Sequence, residues 1–218
     1  TGGANPCYND QLDNPGTATV TIIDQATATI ASAPDSICNG SSATVQLTVS
    51  NILASDSVQV DYSVNGVAQT PLKFKGPGSH NFTISSAVLV ATSAPSTDYW
   101  VRLDTVTNIT STAVCAGLVA DSTLIRVDTA TVGGTTSGAA TVCNGNNTGT
   151  ITLSGHVGDV IGWESSNDSA TWTQLNNFTA TLTYTNLTDT TWYRAVVKNG
   201  ACGQEYSTAT VITVRERP

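Results

Sequence analysis

Ile37-Cys38-Asn39-Gly40, followed by ATVQLTVS over Ala43–Ser50, decides the reading of this chain. In the second run Ala43, Val45, Leu47 and Val49 alternate with Thr44, Gln46, Thr48 and Ser50. A period of two sends successive side chains to opposite faces, so the run is a strand with one buried and one wet face. The same order returns downstream, where Val142-Cys143-Asn144-Gly145 precedes GTITLS over Gly149–Ser154. Further on, Trp100-Val101-Arg102-Leu103 is matched by Trp192-Tyr193-Arg194-Ala195, and each is followed by another cysteine, Cys115 or Cys202. The two copies close on STLIRV (Ser122–Val127) and TATVITV (Thr208–Val214). An ordered repeat of this length means modules built alike.

The repeat divides the chain into modules at 24–132 and 133–218, with Gly133, Gly134 and Gly138 as the expected hinge. Residues 1–23 repeat the end of a module: Cys7 then TATVTI (Thr17–Ile22) resembles Cys202 then Thr208–Val214. They are expected to be the terminal strand segment of a preceding module, or an N-terminal extension. Inside the modules the segments are short, β-branched and broken at Asn65-Gly66, Gly76-Pro77-Gly78, Asn167-Asp168 and Asn199-Gly200. The first module places strands at Val58–Val64, Leu72–Lys75, His80–Ser85 and Tyr99–Leu103; the second at Val160–Ser165, Thr171–Leu175, Phe178–Thr185 and Thr191–Val197. With the flanking runs this makes about seven strands in the second module, the count of a two-sheet antiparallel sandwich. Trp163, and Tyr62 in its place in the first module, are the expected core aromatics. No stretch has a capped helical period. The fold class is all-β.

Among 218 residues there are 58 Ser or Thr but only 24 Asp, Glu, Lys or Arg, and the net charge is -8. Phosphate backbones and anionic membranes attract clustered Lys and Arg, which are missing, so no nucleic-acid partner is expected. The longest apolar stretch, Ala87–Ala91, is far below the roughly 20 residues of a membrane span, so no membrane insertion is expected. The absence of Met and of a charged-then-apolar leader points to Thr1 as a processed or truncated start.

The five cysteines, Cys7, Cys38, Cys115, Cys143 and Cys202, lie far apart with no C-x-x-C and no histidine at ligand spacing, which argues against zinc. Distant cysteines in a polar chain are expected as disulfides made outside the cytoplasm. Spacing suggests the couples Cys38–Cys115 and Cys143–Cys202, one in each module. Cys7 is left unpaired or intermolecular. Catalysis needs a positioned base or nucleophile. The candidates are few: His80 and His156, both expected as solvated surface residues, and Glu164, Glu205 and Glu216. With no G-x-S-x-G elbow, no enzyme is expected, and no cofactor. Asp56 with Asp61, or Asp159 with Asp168, are the only pairs worth naming for calcium, and without a D-x-D-x-D-G loop no metal site is expected. Trp172, in a short edge-like segment, is expected to be exposed and is the candidate for ligand stacking.

The run Thr191–Val197 through Asn199-Gly200-Ala201-Cys202, preceded by Trp163-Glu164 and Thr171-Trp172-Thr173, resembles the Ig-like repeats of large Bacteroidota cell-surface adhesins. Such repeats occur in gliding-motility adhesins and other cargo of the type IX secretion system. The likeness is specific over Cys143–Val214, looser over Cys38–Val127 and partial over Cys7–Ile22. It implies tandem Ig-like β-sandwiches, with cysteine pairs joining sandwich margins, at the extracellular cell surface. It also implies partners that are neighbouring modules or subunits and surface glycans. All seven Asp-Ser/Thr dipeptides, at Ser36, Ser57, Thr105, Ser122, Thr129, Ser169 and Thr190, are followed by Ala, Ile, Val or Thr. Chance predicts roughly two. The pattern resembles the O-glycosylation signal of Bacteroidota, which makes these seven the candidate glycan acceptors. The expected function is a spacer and adhesive surface in a larger surface protein. The alternatives are a filament subunit whose Ala18–Ile23 strand pairs with a neighbour's open sheet edge, and a carbohydrate-binding module using Trp172.

Overall fold

A computed structural model describes residues 25–110 and 116–216. The reading of residues 1–23, the Ala18–Ile23 strand, Cys7 and Cys115 fall outside the described residues. Among the described residues every regular element is a strand: β1 Thr27–Ser32, β2 Ser36–Cys38, β3 Ala43–Ser50, β4 Ser57–Val64, β5 Val67–Ala68, β6 Leu72–Lys75, β7 Gly78–Ile84, β8 Ser96–Asn108, β9 Ala116–Leu118 and β10 Ser122–Asp128. These are followed by β11 Thr135–Ser137, β12 Ala140–Cys143, β13 Thr148–Ser154, β14 Asp159–Ser166, β15 Thr173–Leu175, β16 Thr181–Thr185, β17 Thr191–Lys198, β18 Gln204–Tyr206 and β19 Thr210–Arg215.

The strands form four sheets. One is β1-β3-β7; a second runs β2-β10-β8-β4-β5, with β6 on β4 and β9 on β8. The third is β11-β13-β16; the fourth runs β12-β19-β17-β14-β15, with β18 on β17. Two sheets packed face to face around an apolar layer make a β-sandwich, and the chain is an all-β tandem of such sandwiches. Not every pair is antiparallel: β12 runs parallel to β19, with Cys143 opposite Arg215.

Alternation sets the cores. In β3, Val45, Leu47 and Val49 are buried while Thr44 and Ser50 are exposed, and the antiparallel register with β7 sets Val45 opposite Phe82. Tyr62 is buried with its ring 5.0 Å from Phe82, edge to face, and burial pushes its phenol above the ordinary range. In the other core Ile151, Leu153, Trp163, Leu182, Tyr184, Tyr193, Ala195, Val197 and Ile212 pack as one cluster. Trp163 is fully buried, and its indole N–H donates to the Thr179 carbonyl at 2.8 Å. A buried indole without that acceptor would lose about 1–3 kcal/mol to desolvation.

By compactness the chain divides into two units. The first takes the described part of Thr1–Asp35 with Gly40–Leu89 and Asp98–Arg126; the second takes Ser36–Asn39, Val90–Thr97 and the described part of Val127–Pro218. The second is discontinuous in sequence. Gly133 is buried in it, and a Cβ there would stand 2.0 Å from the Tyr206 carbonyl oxygen. Gly133, one of the three glycines expected to form the hinge, is therefore a close-approach position, where the bare backbone admits a neighbouring strand.

Candidate functional site

The one disulfide among the described residues joins Cys38 to Cys202, 164 residues apart in sequence. The Cα atoms are 4.7 Å apart. This corrects the expected couples: Cys38 is taken by Cys202, not Cys115, and Cys143 is a free, exposed thiol. The reason is strand direction. Cys143 sits opposite Arg215, and β19 runs antiparallel to β17 with Ile212 opposite Thr191, so Cys143 lies towards the Thr191 end of the sheet. Cys202 lies in the turn beyond Lys198, at the other end. The eight residues of β17 separate those ends by about 26 Å at ~3.3 Å per residue, whereas a disulfide tolerates only ~7 Å between Cα atoms.

Around the bridge the turn Asn199-Gly200-Ala201-Cys202 is held by residues far away in sequence. The Asn199 side-chain amide donates to the carbonyls of Pro95 and Thr129, both at 2.8 Å, and its backbone N–H donates to Thr131 Oγ1 at 3.0 Å. The Ala201 N–H donates to the Asp128 carboxylate at 2.8 Å, and Thr131 Oγ1 donates to the Gly203 carbonyl at 2.6 Å. Asp128, Asn199 and Cys202 are all buried, so each lost partner would leave a desolvated polar group. Gly200 has φ +46°, and a Cβ on it would stand 2.0 Å from Asp128 Oδ2. Only glycine lets the turn close over that carboxylate. Asp128 and Asn199 are the functional residues that sequence reasoning missed. Asn199-Gly200 was legible as a turn, but nothing local tells which carboxylate it meets.

A second cluster sits on β14, β17 and β18. The Arg194 guanidinium lies 4.0 Å from the Trp172 ring centroid and 3.9 Å from that of Tyr206, and its Nη2 is 2.7 Å from Glu164 Oε2. The pairing of β14 with β17 puts Glu164 directly opposite Arg194. Trp172 is thus half-buried with one ring face occupied by a cation, a correction to the expectation that it lies exposed for ligand stacking.

The glycan candidates land in three settings. Ser122 and Ser169 are exposed, Ser169 at φ +58° in the turn before β15. Thr105 Oγ1 donates to Asp61, Thr129 Oγ1 donates to the Pro95 carbonyl, and Thr190 Oγ1 accepts from the Val214 N–H. Ser36 and Ser57 are half-buried at the start of β2 and β4. The Asp168 carboxylate is held far below the ordinary range by the N–H groups of Thr171 and Ala170 and the Ser166 hydroxyl. Asp61 accepts Thr105 and Gln59. Asp61 and Asp168, two of the four carboxylates considered for calcium, are thus engaged in local hydrogen bonds, and no group of three metal-ligating side chains occurs among the described residues. Neither histidine is fully solvated: His80 stacks on Phe74 at 4.7 Å and meets the Gly76 carbonyl, and half-buried His156 has an Nδ1 without a partner among the described residues.

Fold and bridge together define a disulfide-stapled tandem of β-sandwiches. Residues 132–216 match the model of a family described as a domain of unknown function, DUF8696. No curated protein matches the chain in sequence. Among solved structures it is similar to one from a 1.5-MDa bacterial ice-binding adhesin, concerned with host cell surface retention, at 16% identity and TM-score 0.47, covering 88% of this chain and 66% of that one. It is also similar to fibronectin(III)-like modules of CbhA from Clostridium thermocellum, at 12% identity and TM-score 0.35, covering 87% of this chain and 95% of that one. The sandwich class rests on strand order and burial alone.

Proposed function

We propose that this chain is a non-enzymatic structural stretch of an extracellular surface protein, acting as spacer and adhesive surface, with modules at 24–132 and 133–218 and residues 1–23 as the end of a preceding one. The observation that carries the reading is the Cys38–Cys202 bridge. A disulfide persists in oxidising surroundings, which supports placement outside the cytoplasm. Its span also has a mechanical consequence. Tension entering before Cys38 and leaving after Cys202 passes through a covalent S–S bond and bypasses the 164-residue span between them. Such a bypass suits a chain that has to hold its length under load. The surface of a gliding or otherwise adhesive Bacteroidota cell, reached by type IX export, is the setting we propose from the sequence resemblance, with glycans on exposed Ser122 and Ser169 as the first sites to examine. Of the other readings, carbohydrate stacking at Trp172 has to contend with Arg194 on one ring face.

Single-molecule pulling from the two termini tests the reading. The oxidised chain should withhold roughly 550 Å of contour, at ~3.4 Å per residue, that reductant then releases. Full extension without reductant would sink it. Among the described residues no helix is long and apolar enough to cross a membrane.

A further inference from the structure

The bonded Cys38 has a counterpart in Cys143. Ile37-Cys38-Asn39-Gly40 and Val142-Cys143-Asn144-Gly145 place the cysteine at the last position of a short strand, β2 or β12. In each, the N–H of the following asparagine donates to a strand-end carbonyl at 2.8 Å: Asn39 to Asp128, Asn144 to Arg215. In each, the next residue is a glycine with positive φ, +89° at Gly40 and +93° at Gly145. The two seats share sequence, backbone geometry and hydrogen bonding. One holds a sulfur partner, since Cys38 is bonded to the Cys202 of an Asn-Gly-Ala-Cys turn. The other presents Cys143 as an exposed thiol. A filled seat and an open seat of one design in one molecule say what kind of ligand the open seat takes.

We propose that Cys143 is an acceptor for a cysteine turn of the Cys202 type carried by another module of the same kind, linking modules by disulfides. The inference rests on the modular-array reading. The module can come from elsewhere in one polypeptide or from a second copy; the chemistry of the seat is the same. The step is thiol–disulfide exchange with a low-molecular-weight disulfide such as oxidised glutathione as oxidant. A thiolate on the incoming turn first opens that disulfide, forming a mixed disulfide and releasing one glutathione thiolate. The Cys143 thiolate then attacks the protein sulfur, the new S–S bond forms, and the second glutathione leaves as a thiolate that takes up a proton. Two protein thiols are oxidised and one glutathione disulfide is reduced to two thiols.

The test mixes the full chain with an isotope-labelled Cys38→Ser chain, whose Cys202 has lost its partner, in a glutathione redox buffer. Bridged peptides are then mapped by mass spectrometry. The expected result is a mixed dimer in which the Cys143–Cys202 link exceeds glutathionylated Cys143 by at least tenfold, and which Cys143→Ser in the unlabelled chain abolishes. Cys143 carrying only glutathione, or linking to other cysteines at random, would overturn the proposal. Should Cys38→Ser fail to fold, a labelled Cys38→Ala chain, whose Cys202 is likewise released, is mixed with the unlabelled wild-type chain in the same buffer. There, a Cys143–Cys202 link between copies that rises with concentration supports the proposal, and its absence at the highest concentration refutes it. The pulling result depends on Cys38–Cys202 alone, so it can stand where this link fails.

Discussion

Trp100-Val101-Arg102 and Trp192-Tyr193-Arg194 are the same motif in two surroundings. Arg102 reaches Asp104 on its own strand at 3.6 Å and stays largely in water, with 62% of its side chain exposed. Arg194 is 22% exposed, sandwiched between Trp172 and Tyr206 and paired with Glu164 at 2.7 Å. The strand that bears the arginine is alike in both; the aromatics brought alongside by neighbouring strands differ. A repeated motif therefore repeats a position in the fold, while its energetic role comes from what the flanking segments add.

The largest expected effect is on the bridge, which ties down Cys38 but not Cys143. Cys202→Ala should destabilise the second unit by about 4–5 kcal/mol on the chain-entropy estimate for so long a loop, seen in denaturant unfolding followed by Trp163 fluorescence. Cys143→Ala should change little. Arg194→Ala should lower stability by about 2–3 kcal/mol, because it strips two ring faces and leaves a half-buried carboxylate without its cation. Arg102→Ala should cost under about 0.5 kcal/mol, as exposed pairs do. Equal losses at the two sites would end the comparison.

Glycines offer a finer contrast. Gly200→Ala drives a methyl into the Asp128 carboxylate and should cost about 2 kcal/mol, with faster hydrogen exchange at the Ala201 amide. Gly145→Ala meets open space and should cost only the ~1 kcal/mol of an unfavourable φ. The smallest effect is at the turns that follow β4 and β14. The first uses Asn65 and Gly66 at positive φ and has no carboxylate between its strands; the second is organised by Asp168. Since folding lowers the Asp168 pKa, its contribution is present above the unfolded aspartate range, near ~3.9, and fades as the pH falls below it. Asp168→Asn should flatten that part of the acid melting profile, whereas Asn65→Ala should leave the profile's shape unchanged.

Much of the fold was legible. ATVQLTVS is β3 residue for residue, LKFK is β6, and the runs around Val58, Val160 and Thr191 fall within a residue or two of β4, β14 and β17. Trp163 stood out because a large aromatic on an alternating strand has one apolar place to go, and it is fully buried. The site was less legible. Cys38 and Cys202 were both expected in disulfides, but pairing by like spacing assumed that a module's two cysteines meet. In the structure strand direction carries Cys143 and Cys202 to opposite ends of one sheet. Asp128 read as half of a glycosylation signal, yet it is a buried acceptor for the Ala201 N–H.

What the sequence alone determined was periodic and local: strand positions from alternation, turns from Asn and Gly, the repeat, and an acidic composition. Pairing was left to the tertiary structure. Which sulfur reaches which, which aromatics enclose an arginine, and which carboxylate meets a turn are contacts between residues many positions apart. Their distances depend on how sheets stack and in which direction each strand runs, and no local pattern encodes either.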